Sequence, residues 1–121
     1  MNMKKSYFIA VTFVLTVILN GCKHEIILKE DCTGITPTYN SEIKAIMDVS
    51  CATPACHSGS YASAGISLDS YSSVNSESKK SRFMGSIRHT TGYASMPQGA
   101  AQLDSTTIKK LACWIQNGRP K

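Results

Sequence analysis

Residues 6–19, SYFIAVTFVLTVIL, form an uncharged apolar stretch that directly follows Lys4 and Lys5. A membrane-spanning helix needs about 20 apolar residues, so this stretch is short for a span. A basic start followed by a short apolar region is typical of a secretory signal. We therefore expect the chain to be exported and its remainder to fold in a compartment where disulfides persist.

The apolar stretch ends in LNGC, residues 19–22, in which a small residue immediately precedes Cys22. This pattern resembles the lipobox of bacterial lipoproteins. The resemblance implies that residues 1–21 are a signal peptide, that cleavage precedes Cys22 and that acyl chains are attached to this cysteine. Two or more such chains hold a protein stably at a membrane. The alternatives are an ordinary signal peptide followed by an incidental cysteine, and an uncleaved anchor.

Removal of residues 1–21 leaves 100 of the 121 residues, enough for one domain of common size. We assign residues 22–38 to a lipidated tether and residues 39–121 to the domain. The formal net charge of +5 falls to +3 without Lys4 and Lys5, and no basic stripe is interleaved with aromatic residues. The composition therefore does not favour nucleic acid as a partner.

Three segments show apolar residues at helical spacing. The first, residues 39–50, carries Ile43, Ile46 and Met47 on one face and begins at Asn40 or Ser41 as N-cap. A weaker helix is predicted over residues 81–87. The clearest helix lies within residues 103–118, with Asp104 or Ser105 as cap and Gly118 as stop; its stripe consists of Ile108, Leu111, Ala112 and Ile115.

No strand alternation is visible, and the serine-rich residues 67–81 are predicted to form mainly a surface loop. The expected fold class is therefore all-α, a small domain of three or more short helices and long loops. Such a domain buries little apolar surface, and small domains of this kind usually need disulfides, a metal or a cofactor. Four cysteines remain besides Cys22, which allows three disulfide connectivities; they are Cys32, Cys51, Cys56 and Cys113.

The segment CATPACH, residues 51–57, is close to the motif C-x-x-C-H of covalent haem attachment but has four residues between its cysteines. The adjacent cysteine and histidine of the motif are present as Cys56 and His57. In the motif, this adjacency places the imidazole beneath the haem iron. Pro54 fixes its own φ, which suits a compact bulge. A haem iron held by one histidine needs a second axial ligand, and Met96 stands in a Gly/Pro/Ser loop where an apolar side chain is otherwise hard to explain.

Together these features resemble a small monohaem class I cytochrome c of the bacterial lipoprotein type. The resemblance rests on residues 39–57, on GISLDSY, SRFMGSIRH and MPQG, and on the C-terminal helix. It implies a cytochrome c-like fold around one covalent haem c. Cys51 and Cys56 would form the thioethers, with His57 as proximal and Met96 as distal iron ligand. It also implies that Cys32 and Cys113 come close enough to form a disulfide; two buried free thiols are the alternative. Trp114 falls off the main helical stripe, and we expect it near the haem edge as a core or interface residue rather than as a redox relay.

Several alternatives stay open at this point. Zinc has four acceptable ligands in Cys51, Cys56, His57 and His89. Cys51 and Cys56 are also able to form a disulfide beside an incidental histidine, as in a cofactor-free lipoprotein held by two disulfides. Within the haem interpretation, His89 competes with Met96 as sixth ligand, or the sixth site is open and binds small ligands or reduces peroxide.

The expected function is that of a membrane-anchored electron carrier. The sequence shows no nucleophile–base pair, no recognisable carboxylate pair and no nucleotide-binding loop, so we do not expect an enzyme. The expected partners are redox proteins of the cell envelope and the membrane itself, through the lipid anchor. Lys23 is not the aspartate that is associated with inner-membrane retention of lipoproteins, which favours the outer membrane, facing the periplasm or the cell surface.

Overall fold

The computed structural model describes residues 29–121 of the chain. In this part the chain forms four α-helices and no strand, which confirms the all-α class. The predicted signal peptide, the predicted lipidation site Cys22 and the beginning of the predicted tether lie outside the described residues. The α-helices are α1 (Lys44–Ser50), α2 (Tyr71–Glu77), α3 (Ser81–Ile87) and α4 (Ser105–Gln116).

The first helix begins with a wide π-helical turn over Tyr39–Ile43 and continues directly into α1. Its N-cap is Thr38 rather than the predicted Asn40 or Ser41. The Thr38 hydroxyl accepts the Ser41 amide proton, and Ser41 in turn accepts the Thr38 amide proton, so two free helix-end donors are satisfied. Ile43 and Met47 are fully buried, as the predicted stripe requires.

Helix α2 lies inside the serine-rich segment 67–81, so the prediction of a loop there is wrong for residues 71–77. Ser70 and Ser73 form a capping box that starts the helix. Val74 is fully buried and Ser78 nearly so, which gives the segment one inward face. Serine has a low helix propensity, but here the N-terminal cap and the buried face stabilise the helix enough to compensate for it.

Helices α3 and α4 agree with the predictions. The predicted weak helix over residues 81–87 forms, and it buries Phe83, Met84 and Ile87. Helix α4 begins at Asp104, whose carboxylate accepts the Thr107 amide proton. No helix among residues 29–121 has the length and apolar character that a membrane crossing requires.

Trp114 is part of the hydrophobic core. It is fully buried, its ring centroid lies 6.4 Å from that of Tyr39, and its indole nitrogen donates to the Pro120 carbonyl at 2.8 Å. Tyr39 also meets Tyr71 edge-on at 5.3 Å. These aromatic contacts join the first helix, α2 and α4 at one centre.

Residues 30–38 are attached to the domain instead of belonging to a free tether. Cys32 forms a disulfide with Cys113 of α4, with the two Cα atoms 5.5 Å apart. The Gln116 side chain accepts from the Glu30 amide at 2.7 Å and donates to its carbonyl at 3.1 Å. Glu30 also forms an ion pair with Arg88. Part of the segment 22–38, which the sequence analysis assigned to a tether, is thus held against the domain.

Candidate functional site

One cleft brings together the side chains that the sequence analysis predicted to form the site. Its volume is about 360 Å³, within the range of small-molecule sites. Cys51, Cys56, His57 and Met96 all line it. Most of the other lining side chains are apolar, and they come from three different parts of the chain: Ala55, Ile66, Leu68, Phe83, Ile87, Pro97 and Leu103.

The end of α1 places the two cysteines. The Cys51 and Ala52 amides both donate to the Met47 carbonyl, at 2.9 and 2.7 Å, so the helix is closed tightly beneath the loop. The His57 amide then donates to the Cys51 carbonyl at 3.1 Å. This bond folds residues 51–57 back on themselves, which holds both thiols and the imidazole at one side of the cleft.

The longer cysteine loop is accommodated on the outside. Pro54 and Ala55 are exposed, and Ala55 has a left-handed backbone with φ of 68°. The Cys56 amide donates to the Thr53 carbonyl at 3.0 Å, which closes a turn within the loop. The additional residues thus form a compact turn while Cys51 and Cys56 both still face the cleft.

The His57 ring is oriented by a hydrogen bond at its Nδ1 atom. Nδ1 lies 2.9 Å from the Ile66 carbonyl oxygen. A carbonyl oxygen can only accept, so Nδ1 carries the proton and Nε2 of the neutral ring keeps its lone pair. This is the arrangement in which metal-bound histidines are found, with one nitrogen donating to the protein and the other free to bind.

The segment between α3 and α4, residues 88–104, carries Met96 and is here called the methionine loop. It is hydrogen-bonded to α3. The Met96 amide donates to the Ser86 carbonyl at 3.0 Å, and the His89 Nε2 lies 3.1 Å from the Met96 carbonyl oxygen. The Met96–Pro97 peptide bond is cis. Met96 is half-buried and lines the cleft together with Pro97.

The two cysteines at the cleft are free thiols in different surroundings. Burial, assisted by the neighbouring Cys56, raises the pKa of the Cys51 thiol to about 11. Cys56 itself is exposed. The structure therefore contains no Cys51–Cys56 disulfide, one of the alternatives left open by the sequence.

His89 does not line the cleft, although it was a candidate for both a zinc set and a sixth iron ligand. Within residues 29–121, no three side chains of His, Cys, Asp or Glu are grouped so that they could hold a metal ion. The proposed zinc set of Cys51, Cys56, His57 and His89 is thus not assembled.

One charged group at the cleft was missed by sequence reasoning. Arg82 and Glu77 both line it, and they form an ion pair at 2.9 Å. Glu77 also binds Lys80 at 2.5 Å, and Lys80 followed by Arg82 hold the pKa of the Glu77 carboxyl below its usual value. No local motif marks these residues; Glu77 is the last residue of α2 and Arg82 lies in the first turn of α3, so the short turn between the two helices brings them together.

Comparison with known proteins gives no relative from which a function could be transferred. The chain matches no protein-family model, no curated protein and no solved structure.

Proposed function

We propose that the protein is a membrane-anchored electron carrier with one covalently bound c-type haem in the cleft. The observation that carries this proposal is that Cys51, Cys56, His57 and Met96 line the same apolar cleft. Met96 is far from the other three along the chain, so their meeting is a property of the fold. The donor types and the apolar walls fit a haem. The resemblance to class I cytochromes c supports the same function.

In this proposal each side chain has a separate role. Cys51 and Cys56 would hold the haem through thioethers, and the imidazole of His57 and the sulfur of Met96 would bind its iron. When bound, the haem would supply reversible one-electron chemistry. The Ile66 carbonyl fixes the tautomer of His57, so that Nε2 is available to the iron.

The walls of the cleft determine how easily an electron is accepted. Apolar side chains such as Phe83 and Leu103 exclude water and disfavour the additional positive charge of the ferric state. A thioether ligand acts in the same direction because it raises the potential relative to a second histidine. We therefore assign the protein the role of a carrier and no catalytic reaction on a substrate.

The anchor and the partners are part of the same proposal. A lipidated Cys22 would hold the domain at the outer membrane, facing the periplasm or the cell surface. The partners would be redox proteins of the cell envelope. No role in nucleic-acid binding is proposed.

The direct test is expression of the full chain with a cytochrome c maturation system. We expect a coloured protein whose haem remains attached after denaturation, with a pyridine haemochrome spectrum of the c type. Cys51→Ala and Cys56→Ala should each shift this spectrum towards that of a haem with one thioether. A folded, colourless protein would instead support a cofactor-free lipoprotein.

The Met96 assignment has its own test. Met96→His should lower the midpoint potential, because imidazole replaces the thioether that favours ferrous iron. Met84→Leu is the matched control, since Met84 is buried but does not line the cleft. A potential that is the same in Met96→His as in the control would contradict Met96 as the ligand.

A further inference from the structure

Both polar backbone groups of Met96 are hydrogen-bonded, one to the last turn of α3 and the other to a residue just after this helix. Its amide donates to the Ser86 carbonyl at 3.0 Å. Its carbonyl oxygen lies 3.1 Å from Nε2 of His89. Because a carbonyl oxygen accepts only, Nε2 is the donor of this bond. The Met96 backbone, from which the side chain extends, is therefore fixed by two hydrogen bonds, one to the backbone of Ser86 and one to the side chain of His89.

His89 reaches Met96 from an unusual backbone conformation. Its φ is 51°, in the left-handed region that side-chain-bearing residues enter at a cost. The turn around it is closed by two backbone bonds, from the His89 amide to the Ser86 carbonyl at 3.1 Å and from the Thr90 amide to the Gly85 carbonyl at 2.9 Å. Glycine would suit this backbone better, so the turn alone does not explain an imidazole here.

The imidazole is directed at the methionine loop and away from the iron site. Its Nε2 is engaged by the Met96 carbonyl, and the ring does not line the cleft. A ligand role for His89 would require breaking this bond and moving the ring. Its position instead lets it act on the iron indirectly, through Met96.

We propose that His89 is a positioning residue that keeps Met96 bound as the axial ligand, an inference that rests on the proposed haem function. By donating Nε2–H to the Met96 carbonyl, His89 restricts the backbone from which the thioether extends. Loss of this bond leaves Met96 held by its amide alone. The sulfur then leaves the iron more often, and external ligands compete better for the vacated position.

The test uses the haem-loaded full chain and two substitutions. His89→Gly removes the donor and suits the left-handed backbone, whereas His89→Gln keeps an N–H donor at similar reach. The first readout is the weak near-red absorption band that ferric haem shows when methionine sulfur is bound. The second is the dissociation constant of imidazole, which competes with Met96 for ferric iron.

We expect His89→Gly to weaken the near-red band and to bind imidazole about five- to tenfold more tightly, the effect of one lost hydrogen bond. His89→Gln should restore most of both properties. Arg119→Gly is the matched control, because Arg119 also has a left-handed backbone, with φ of 61°, and its side chain binds Ser78 instead of the methionine loop. Its imidazole affinity should equal that of the wild type.

Unchanged band and imidazole affinity in His89→Gly would overturn the proposal. If that variant does not fold, the ¹⁵N chemical shifts of His89 in the wild-type holoprotein decide the question. A ring protonated only on Nδ1 would contradict the proposed donor, and one protonated on Nε2 would support it. A wild-type protein that binds no haem would refute the proposed function itself, which is a different outcome.

Discussion

Cys51 and Cys56 face the same cleft, yet their chemical reactivity should differ widely. The thiolate is the reactive form of cysteine, so a raised pKa and a buried position both protect a thiol. Burial raises the pKa of Cys51 to about 11, whereas Cys56 is exposed. The two cysteines should therefore be distinguishable by their reactivity alone.

We predict that iodoacetamide modifies Cys56 much faster than Cys51 in protein made without the haem maturation system. At pH 8 only about one thousandth of Cys51 is thiolate, and this fraction rises about tenfold per pH unit up to roughly pH 11. Mass spectrometry of timed samples measures both rates. Cys56→Ala should abolish the fast reaction and Cys51→Ala should leave it; equal rates at the two cysteines would contradict the burial of Cys51.

Arg82 contributes a positive charge to the cleft. If the cleft holds the proposed haem, we predict that Arg82→Gln lowers its midpoint potential. A nearby positive charge disfavours ferric iron, so its loss favours the oxidised state. We expect roughly 20–60 mV, or about 0.5–1.4 kcal/mol, in a spectroelectrochemical titration. Lys80→Gln is the control, since Lys80 binds the same Glu77 but does not line the cleft. An equal shift in both variants would argue against a specific effect of Arg82.

At the residue scale, sequence reasoning found the side chains that belong to a local motif. Cys51, Cys56 and His57 are adjacent in the chain, and Met96 is conspicuous as an apolar residue in a polar loop. The cleft does contain all four. Arg82 and Glu77 were not found, because nothing in their immediate sequence indicates that both face the same space.

Among the elements, α3 supports the methionine loop, because Ser86 accepts the Met96 amide proton and Tyr93 lies against Gly85. Gly85 lies in the middle of this helix and is buried. A Cβ atom built at Gly85 would lie 2.6 Å from a ring carbon of Tyr93, which belongs to the methionine loop. The absence of a side chain at Gly85 thus allows the Tyr93 ring to lie directly against the helix.

We predict that Gly85→Ala destabilises the protein by about 1–3 kcal/mol despite the better helix propensity of alanine. The propensity gain is about 1 kcal/mol, but displacement of a packed ring costs more. Urea unfolding measures the change. In a Tyr93→Ala background, Gly85→Ala should be neutral or stabilising. A coupling energy near zero in the double-mutant cycle would show that the close contact between Gly85 and Tyr93 does not affect stability.

At the element scale, the sequence predicted helices where apolar periodicity was strong and failed where it was sparse. Residues 81–87 and the C-terminal helix agree with the structure. Helix α2 was missed because its inward face has few large apolar side chains and because serine, which is common in loops, here supplies the cap. The N-cap of the first helix was displaced to Thr38 by the same kind of reciprocal serine–threonine capping.

For the whole molecule, the Cys32–Cys113 disulfide closes a long loop, because the two cysteines are 81 positions apart in the sequence. In the chain-entropy model, a cross-link of this span removes much of the freedom of the unfolded chain and contributes about 4 kcal/mol. Cys113 is fully buried, so alanine is a better replacement there than serine.

We predict that the double variant Cys32→Ala/Cys113→Ala loses about 2–5 kcal/mol of unfolding free energy in urea. Reductant added to the wild type should produce a similar loss, while the double variant should not respond to reductant. A loss below about 1 kcal/mol would mean that Glu30 and Gln116 hold residues 30–38 in place without the disulfide.

The same disulfide limits how far the domain can stand from a membrane. Cys22 and Cys32 are ten residues apart, and an extended chain advances at most about 3.5 Å per residue, so the reach of the linker is about 35 Å. With residues 30–38 attached to α4, no further length is available from the domain side. If Cys22 carries the lipid, the distance from the membrane surface to the cleft cannot exceed this reach plus the width of the domain. Under the proposed electron-carrier function, electron exchange would then be confined to partners that are embedded in, or docked on, the same membrane surface.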